Sequence, residues 1–153
     1  MRAGSPGRSP IAGSGLVACV ALSIALGVAY SLTVPPFNNP DEPAHWNFVV
    51  HVATTGQLPI LRAGDYPQAL VEQLKSARFP PDRPVDAIVY ESHQPPLYYV
   101  LAALAYKVAI VRSVGAAFLA VRLLTVLFGA ALVAVTYLLA RMLAPSRPVV
   151  WVG

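Results

Sequence analysis

The chain has 153 residues, 56% of them hydrophobic and 12% charged, with a formal net charge of +4 and a mean hydropathy of +0.59. Soluble domains carry about 25% charged residues, so this composition excludes an ordinary water-soluble globule and makes a membrane the expected solvent. All seven acids fall between Asp41 and Glu91, while seven of the eleven basic residues stand outside that window at the ends of apolar runs; this excludes the basic, aromatic-laced face of a nucleic-acid binder and reads as membrane anchoring and orientation.

Met1–Pro10 is rich in Gly, Ser and Pro, with Arg2 and Arg8, and is expected to be a disordered cytoplasmic tail. Residues 11–34 carry no charge. At 1.5 Å per residue they reach roughly 36 Å, enough to cross a hydrocarbon core of about 30 Å, and are read as transmembrane helix 1. A cleaved signal peptide has a shorter apolar core and a small-residue cleavage site. Leu16-Val17-Ala18-Cys19 has the look of a lipoprotein box, but the apolar run continues well past the cysteine. Cys19 is the only cysteine, which excludes an intrachain disulfide and a cysteine zinc site.

Residues 35–94 form a polar segment that is expected to be an extracytoplasmic loop. Within it, residues 40–55 predict a juxtamembrane helix: Asn38 or Asn39 is a capping residue, Pro40 suits the first turn, Asp41 and Glu42 complement the helix N-terminus, and Gly56 suits the C-terminal stop. Its apolar residues suit a helix lying along a membrane surface or against other spans. Residues 68–77 predict a second short helix. Residues 95–111, opened by a Pro pair, are read as transmembrane helix 2, with Lys107 and Arg112 snorkelling at the far end and Tyr98 and Tyr99 at the near interface. Residues 112–122 are expected to be a cytoplasmic basic turn leading into the next helix, and residues 123–143 transmembrane helix 3. Residues 144–153 are a loop and the start of a further apolar segment, so the chain reads as the N-terminal portion of a longer protein. The fold class expected is an all-α, multi-pass transmembrane bundle.

Two stretches carry candidate chemistry. In Asn39-Pro40-Asp41-Glu42-Pro43-Ala44-His45, helical spacing puts Asp41 and His45, and Glu42 and His45, on shared faces. A carboxylate there can take a proton while its neighbour orients it or holds a metal. Glu91 and His93 stand at the other end of the loop, just before Gln94-Pro95-Pro96-Leu97-Tyr98-Tyr99. If the loop folds back, the two stretches meet at the lipid–water boundary. The plainer reading makes Asn-Pro-Asp-Glu-Pro a capped helix start and leaves Glu91 and His93 solvated.

The order of these features resembles the N-terminal region of the GT-C membrane glycosyltransferases, a group that includes protein O-mannosyltransferases and the lipid A aminoarabinose transferase. The resemblance covers roughly residues 11–143 and rests on an Asp-Glu pair soon after the first span, Gln-Pro-Pro-Leu-Tyr-Tyr before the next, and an Arg-Leu-Leu start to a long apolar helix ending in Leu-Leu-Ala-Arg. It implies a sugar donor carried on a polyprenyl phosphate in the cell membrane, a glycan, lipid or protein hydroxyl acceptor on the outer face, and inversion at the anomeric carbon. Asp41 is then the general base and Glu42 its catalytic assistant. His45, Gln94 and Tyr98 are the substrate-binding candidates, and Glu91 and His93 the candidate ligands of a divalent metal. Gln94 departs from the pattern, in which His or Lys often precedes the Pro pair. Two other readings are a non-catalytic multi-pass membrane protein or subunit whose outer loop binds a partner or glycan, and a metal-dependent membrane hydrolase using His45 and His93.

Overall fold

The computed structural model describes residues 11–80 and 83–143. Among these the chain is all-helical and without strands: α1 Ile11–Thr33, α2 Glu42–Thr55, α3 Gln68–Ser76, α4 Pro96–Ile110 and α5 Val114–Leu143. The expected disordered tail and the apolar segment after residue 143 lie outside the described residues. Two compact units form, one from the described parts of 1–29 and 125–153, the other from residues 30–124.

The first unit pairs α1 with the distal part of α5. A Cβ at Gly15 would stand 2.7 Å from the Tyr137 hydroxyl, and one at Gly27 only 2.8 Å from both methyls of Val126. Position 15 thus faces 137 and position 27 faces 126, so the two helices run antiparallel and meet where α1 has no side chain. Val17, Leu22 and Leu26 on α1 and Leu127, Leu132 and Val135 on α5 point outward and are exposed. Residues 14–33 of α1 and the whole of α5 are long and apolar enough to cross a membrane.

The second unit is built around α2. Asp41 precedes the helix in the left-handed region (φ 60°), Pro43 sits in the first turn, and Gly56 (φ 71°) closes it with its N–H on the Val52 carbonyl. The helix therefore starts at Glu42, two residues later than expected, with Asp41 rather than an asparagine at the cap position. One face of α2 buries Phe48, Val49, Val52 and Ala53 against Tyr99, Ala102 and Ala103 of α4. The two small residues let the helices approach, and the Phe48 and Tyr99 rings stack with centroids 3.6 Å apart. Ala44, nearer the start of α2, joins a second core with Val71 and Leu74 of α3 and with Val85 and Ile88 of the following loop. The Asn47 amide ties that loop down by donating to the carbonyls of Val85 (2.7 Å) and Ile88 (2.9 Å).

The segment expected as a second span, residues 95–111, forms α4. α4 has 15 residues, about 22 Å, which falls short of a ~30 Å hydrocarbon core, and it lies alongside α2 within the second unit. The expected basic turn over 112–122 shrinks to the residues between α4 and α5. Ser113 caps α5 by accepting the Ala116 N–H at 3.0 Å, and helix formers then carry α5 straight through Arg122. Among the described residues, α1 and α5 are the two helices of spanning length.

Gly27→Ala should weaken the α1–α5 pairing by about 1–3 kcal/mol through overpacking. Adding Val126→Ala should recover most of that loss, read as the thermal unfolding midpoint of the protein in detergent.

Candidate functional site

The turn leading into α2 is held by a guanidinium. Arg122, in the part of α5 that belongs to the second unit, donates from Nε to Glu42 Oε1 at 2.8 Å and from Nη2 to Glu42 Oε2 at 2.9 Å. Its Nη1 reaches the carbonyls of Ser31 (3.0 Å) and Val34 (2.6 Å), and Nη2 that of Pro35 (3.1 Å). These carbonyls close the C-terminal end of α1, where partners are missing and the helix dipole is negative. The Phe118 ring lies 4.6 Å below the guanidinium and is met edge-on by Phe37. Glu42 accepts further bonds from the Phe37 N–H at 2.8 Å and the Asn39 amide at 3.2 Å. Both of its oxygens thus take part in organising the turn into α2.

Asp41 is placed differently. It makes no side-chain cap to α2. Its Oδ1 accepts the Tyr90 hydroxyl at 2.6 Å, and among the described residues Oδ2 has no hydrogen-bond donor. The left-handed backbone turns this carboxylate away from the helix start, at a cost of about 1–3 kcal/mol for a non-glycine residue. Asp41 lines an open cleft of about 230 Å³ with Asn38, Asn39, Lys75, Phe79 and Tyr90, floored by Val71 and Ile88. Tyr90 has its hydroxyl pKa raised above the ordinary 10.0, first by burial and then by the Asp41 carboxylate that its proton serves.

The two stretches meet, but through tyrosines. His45 Nδ1 shares a 2.6 Å hydrogen bond with the Tyr99 hydroxyl and stacks on its ring; its backbone N–H donates to the Asp41 carbonyl at 3.1 Å, but among the described residues its ring makes no hydrogen bond to the Asp41 or Glu42 carboxylate. Burial, with the nearby Glu91 carboxylate second, raises the Tyr99 pKa as well. Tyr98 packs edge-on against Tyr99. Glu91 Oε2 accepts the Gln94 amide at 2.7 Å. His93 Nδ1 lies 3.1 Å from the Tyr90 carbonyl, which only accepts, so that nitrogen carries the proton. Among the described residues no three His, Cys, Asp or Glu side chains are grouped to hold a metal ion. Glu91 and His93 are each hydrogen-bonded to a neighbour of their own.

Sequence reasoning passed over Tyr90, Tyr99 and Arg122. For Arg122 a signal existed: a lone cation inside an apolar helix needs a buried partner, and Glu42 was one of few acids near an apolar run. Nothing in the sequence pairs Tyr90 with Asp41, which is 49 positions away.

No protein-family model, curated protein or solved structure matches the chain.

The Arg122–Glu42 pair is largely withdrawn from water, with side-chain exposures of 10% and 15%. Arg122→Met should therefore destabilise the second unit by about 3–5 kcal/mol, since it strands a buried carboxylate. Arg122→Lys should recover little, because an ammonium cannot reproduce the planar fork; chemical denaturation monitored by tryptophan fluorescence reads both. In an alkaline absorbance titration, Tyr90 and Tyr99 should ionise well above pH 10, and Tyr90→Phe or Tyr99→Phe should each remove one such late step. A raised folded-state pKa stabilises the protein fully below pH 10 and progressively less above it, so stability should fall as pH rises past 10.

Proposed function

We propose that this chain is the N-terminal portion of a GT-C type integral membrane glycosyltransferase. In this reading α1 and α5 are two membrane spans joined by an extracytoplasmic unit, residues 34–122. In sequence, the stretches before α1 and at the end of α5 carry Arg2, Arg8, Arg141 and Arg147 and no acid, the composition the positive-inside rule asks of a cytoplasmic side. The outward face of α4, with Leu97, Leu104 and Val108 exposed and Lys107 and Arg112 near its end, suits a helix resting at the lipid–water boundary. That is where a polyprenyl-phosphate donor presents its sugar. The acceptor is a hydroxyl on a glycan, lipid or protein.

The observation that carries the reading is Asp41: preceding its helix in a left-handed backbone without capping it, anchored through one carboxylate oxygen to Tyr90, and lining a cleft. Oδ2 accepts the acceptor's hydroxyl proton as the acceptor oxygen bonds to the anomeric carbon. The bond from that carbon to the phosphate oxygen breaks on the opposite face, and its electron pair leaves with the lipid phosphate. A phosphate leaving group needs little protonation, so one base suffices where glycosidases use two carboxylates. Glu42, locked to Arg122, holds the turn that presents Asp41. His45, Gln94 and Tyr98 stay substrate-side candidates through the Tyr99 cluster. No step is routed through a metal.

Membranes containing Asp41→Asn should keep the inserted protein and lose sugar transfer from a polyprenyl-phosphate donor by about 10²–10⁴-fold, the usual share of a general base. Undiminished transfer would sink the assignment of Asp41 as the base. The topology has its own check: with Cys19 replaced by Ser, a single cysteine at position 64 should react with a membrane-impermeant maleimide added outside intact cells, and cysteines at 64 and 112 should label from the same side.

A further inference from the structure

The cleft beside Asp41 has chemistry beyond its base. Its lining mixes apolar surface from Pro40, Pro43, Phe79 and Ile88 with the polar groups of Asn38, Asp41 and Lys75. Hydrogen-bond accounting separates groups in use from those open to a ligand. Asn39 is fully engaged, its oxygen accepting from Tyr30 and its amide donating to Glu42. The Asn38 amide bridges the carbonyls of Pro36 and Arg78, leaving its oxygen without a donor among the described residues. Lys75 meets Glu72 at 3.7 Å, an ion pair too long to use any of the three ammonium protons in a hydrogen bond. Asp41, Asn38 and Lys75, each with a polar group not used within the described residues, thus line the same cleft.

The backbone around that space is strained. Phe37, Asp41, Arg78 and Phe79 all adopt positive φ, between 49° and 66°. Asp41 and Phe79 line the cleft itself, and the Asn38–Arg78 bond ties its two sides together. Clustered strain of this kind accumulates where a binding surface has to be held in shape. At about 230 Å³ the cleft is smaller than the ~300–1,000 Å³ pockets of drug-sized ligands, which suits a single ring.

We propose that the cleft is a subsite for one pyranose ring of a glycan acceptor, with Lys75 as a specificity-determining residue. The apolar C–H face of the ring lies on Phe79 and the prolines. Lys75 donates to ring hydroxyls, and the Asn38 oxygen and Asp41 Oδ2 accept from them. The assignment rests on the glycosyltransferase reading for the direction of chemistry, since the hydroxyl on Asp41 is the one that is deprotonated, but ring binding requires neither donor nor turnover.

The test is saturation-transfer NMR on the full chain in lipid nanodiscs, with methyl glycosides of glucose, mannose, galactose and N-acetylglucosamine as probes and a serine-containing tripeptide as the competing acceptor class. At least one glycoside should bind. Lys75→Gln, at a half-exposed position, should weaken it about tenfold, the share of one charge-assisted hydrogen bond, with an unchanged unfolding midpoint. Asp41→Asn should weaken it by a similar factor. Binding by none of the glycosides, binding by the tripeptide alone, or glycoside binding indifferent to both substitutions would each overturn the subsite. Failure here with transfer still lost in Asp41→Asn would leave the enzyme reading standing. Glycoside binding alongside undiminished transfer in that variant would do the opposite.

Discussion

The second unit depends on one guanidinium. Arg122 joins the last carbonyls of α1 to the first carboxylate of α2, using Nε, Nη1 and Nη2. The planar fork serves two needs that sequence keeps separate: unpaired carbonyls at a helix C-terminus, and a carboxylate withdrawn from water. A lysine has the charge without the geometry. With this clamp closed, the short path from Thr33 to Glu42 has little freedom, and residues in it take backbone conformations that none would hold in a free loop. Phe37 and Asp41 are both at positive φ, and the Phe37 N–H is itself bonded to Glu42.

That constraint divides labour within the Asp-Glu pair. Adjacent in sequence and chemically alike, the two acids end in opposite circumstances. Glu42 accepts four hydrogen bonds and is anchored. The Asp41 carboxylate accepts one, from Tyr90, and the residue lines a cleft. An aspartate before a helix ordinarily bonds the free N–H groups of the first turn; this one does not, and the left-handed backbone is the reason. The strain that this arrangement stores is offset by the clamp on one side and on the other by the α2–α3 core of Ala44, Val71 and Leu74.

Apolar character is put to different uses in different helices. In α1 and the distal part of α5 it is exposed, and those helices are long enough for a bilayer. α4 is comparably apolar but half its face is buried on α2, with Ala102 and Ala103 allowing the contact. Composition could not separate these cases, because a short buried helix and a short span share the same residues. Length does part of the work, and packing does the rest.

The amino-acid sequence by itself determined the all-helical class, the approximate bounds of α1, α2 and α3, the Gly56 stop, and the confinement of every acid to one window; these follow from local rules of periodicity, capping and solvation. It also made Asp41 conspicuous, since a carboxylate beside a long apolar run is rare. Tertiary structure alone decided that α4 lies on α2, that Arg122 belongs to Glu42 across 80 positions, and that Tyr90 and Tyr99, not Glu91 and His93, connect the second stretch to the first. The reason is physical: hydrogen bonds between distant residues arise from where the packed helices bring their side chains. Two neighbouring acids become a clamped carboxylate and one held by a single hydrogen bond only when a third residue, far along the chain, arrives to claim one of them.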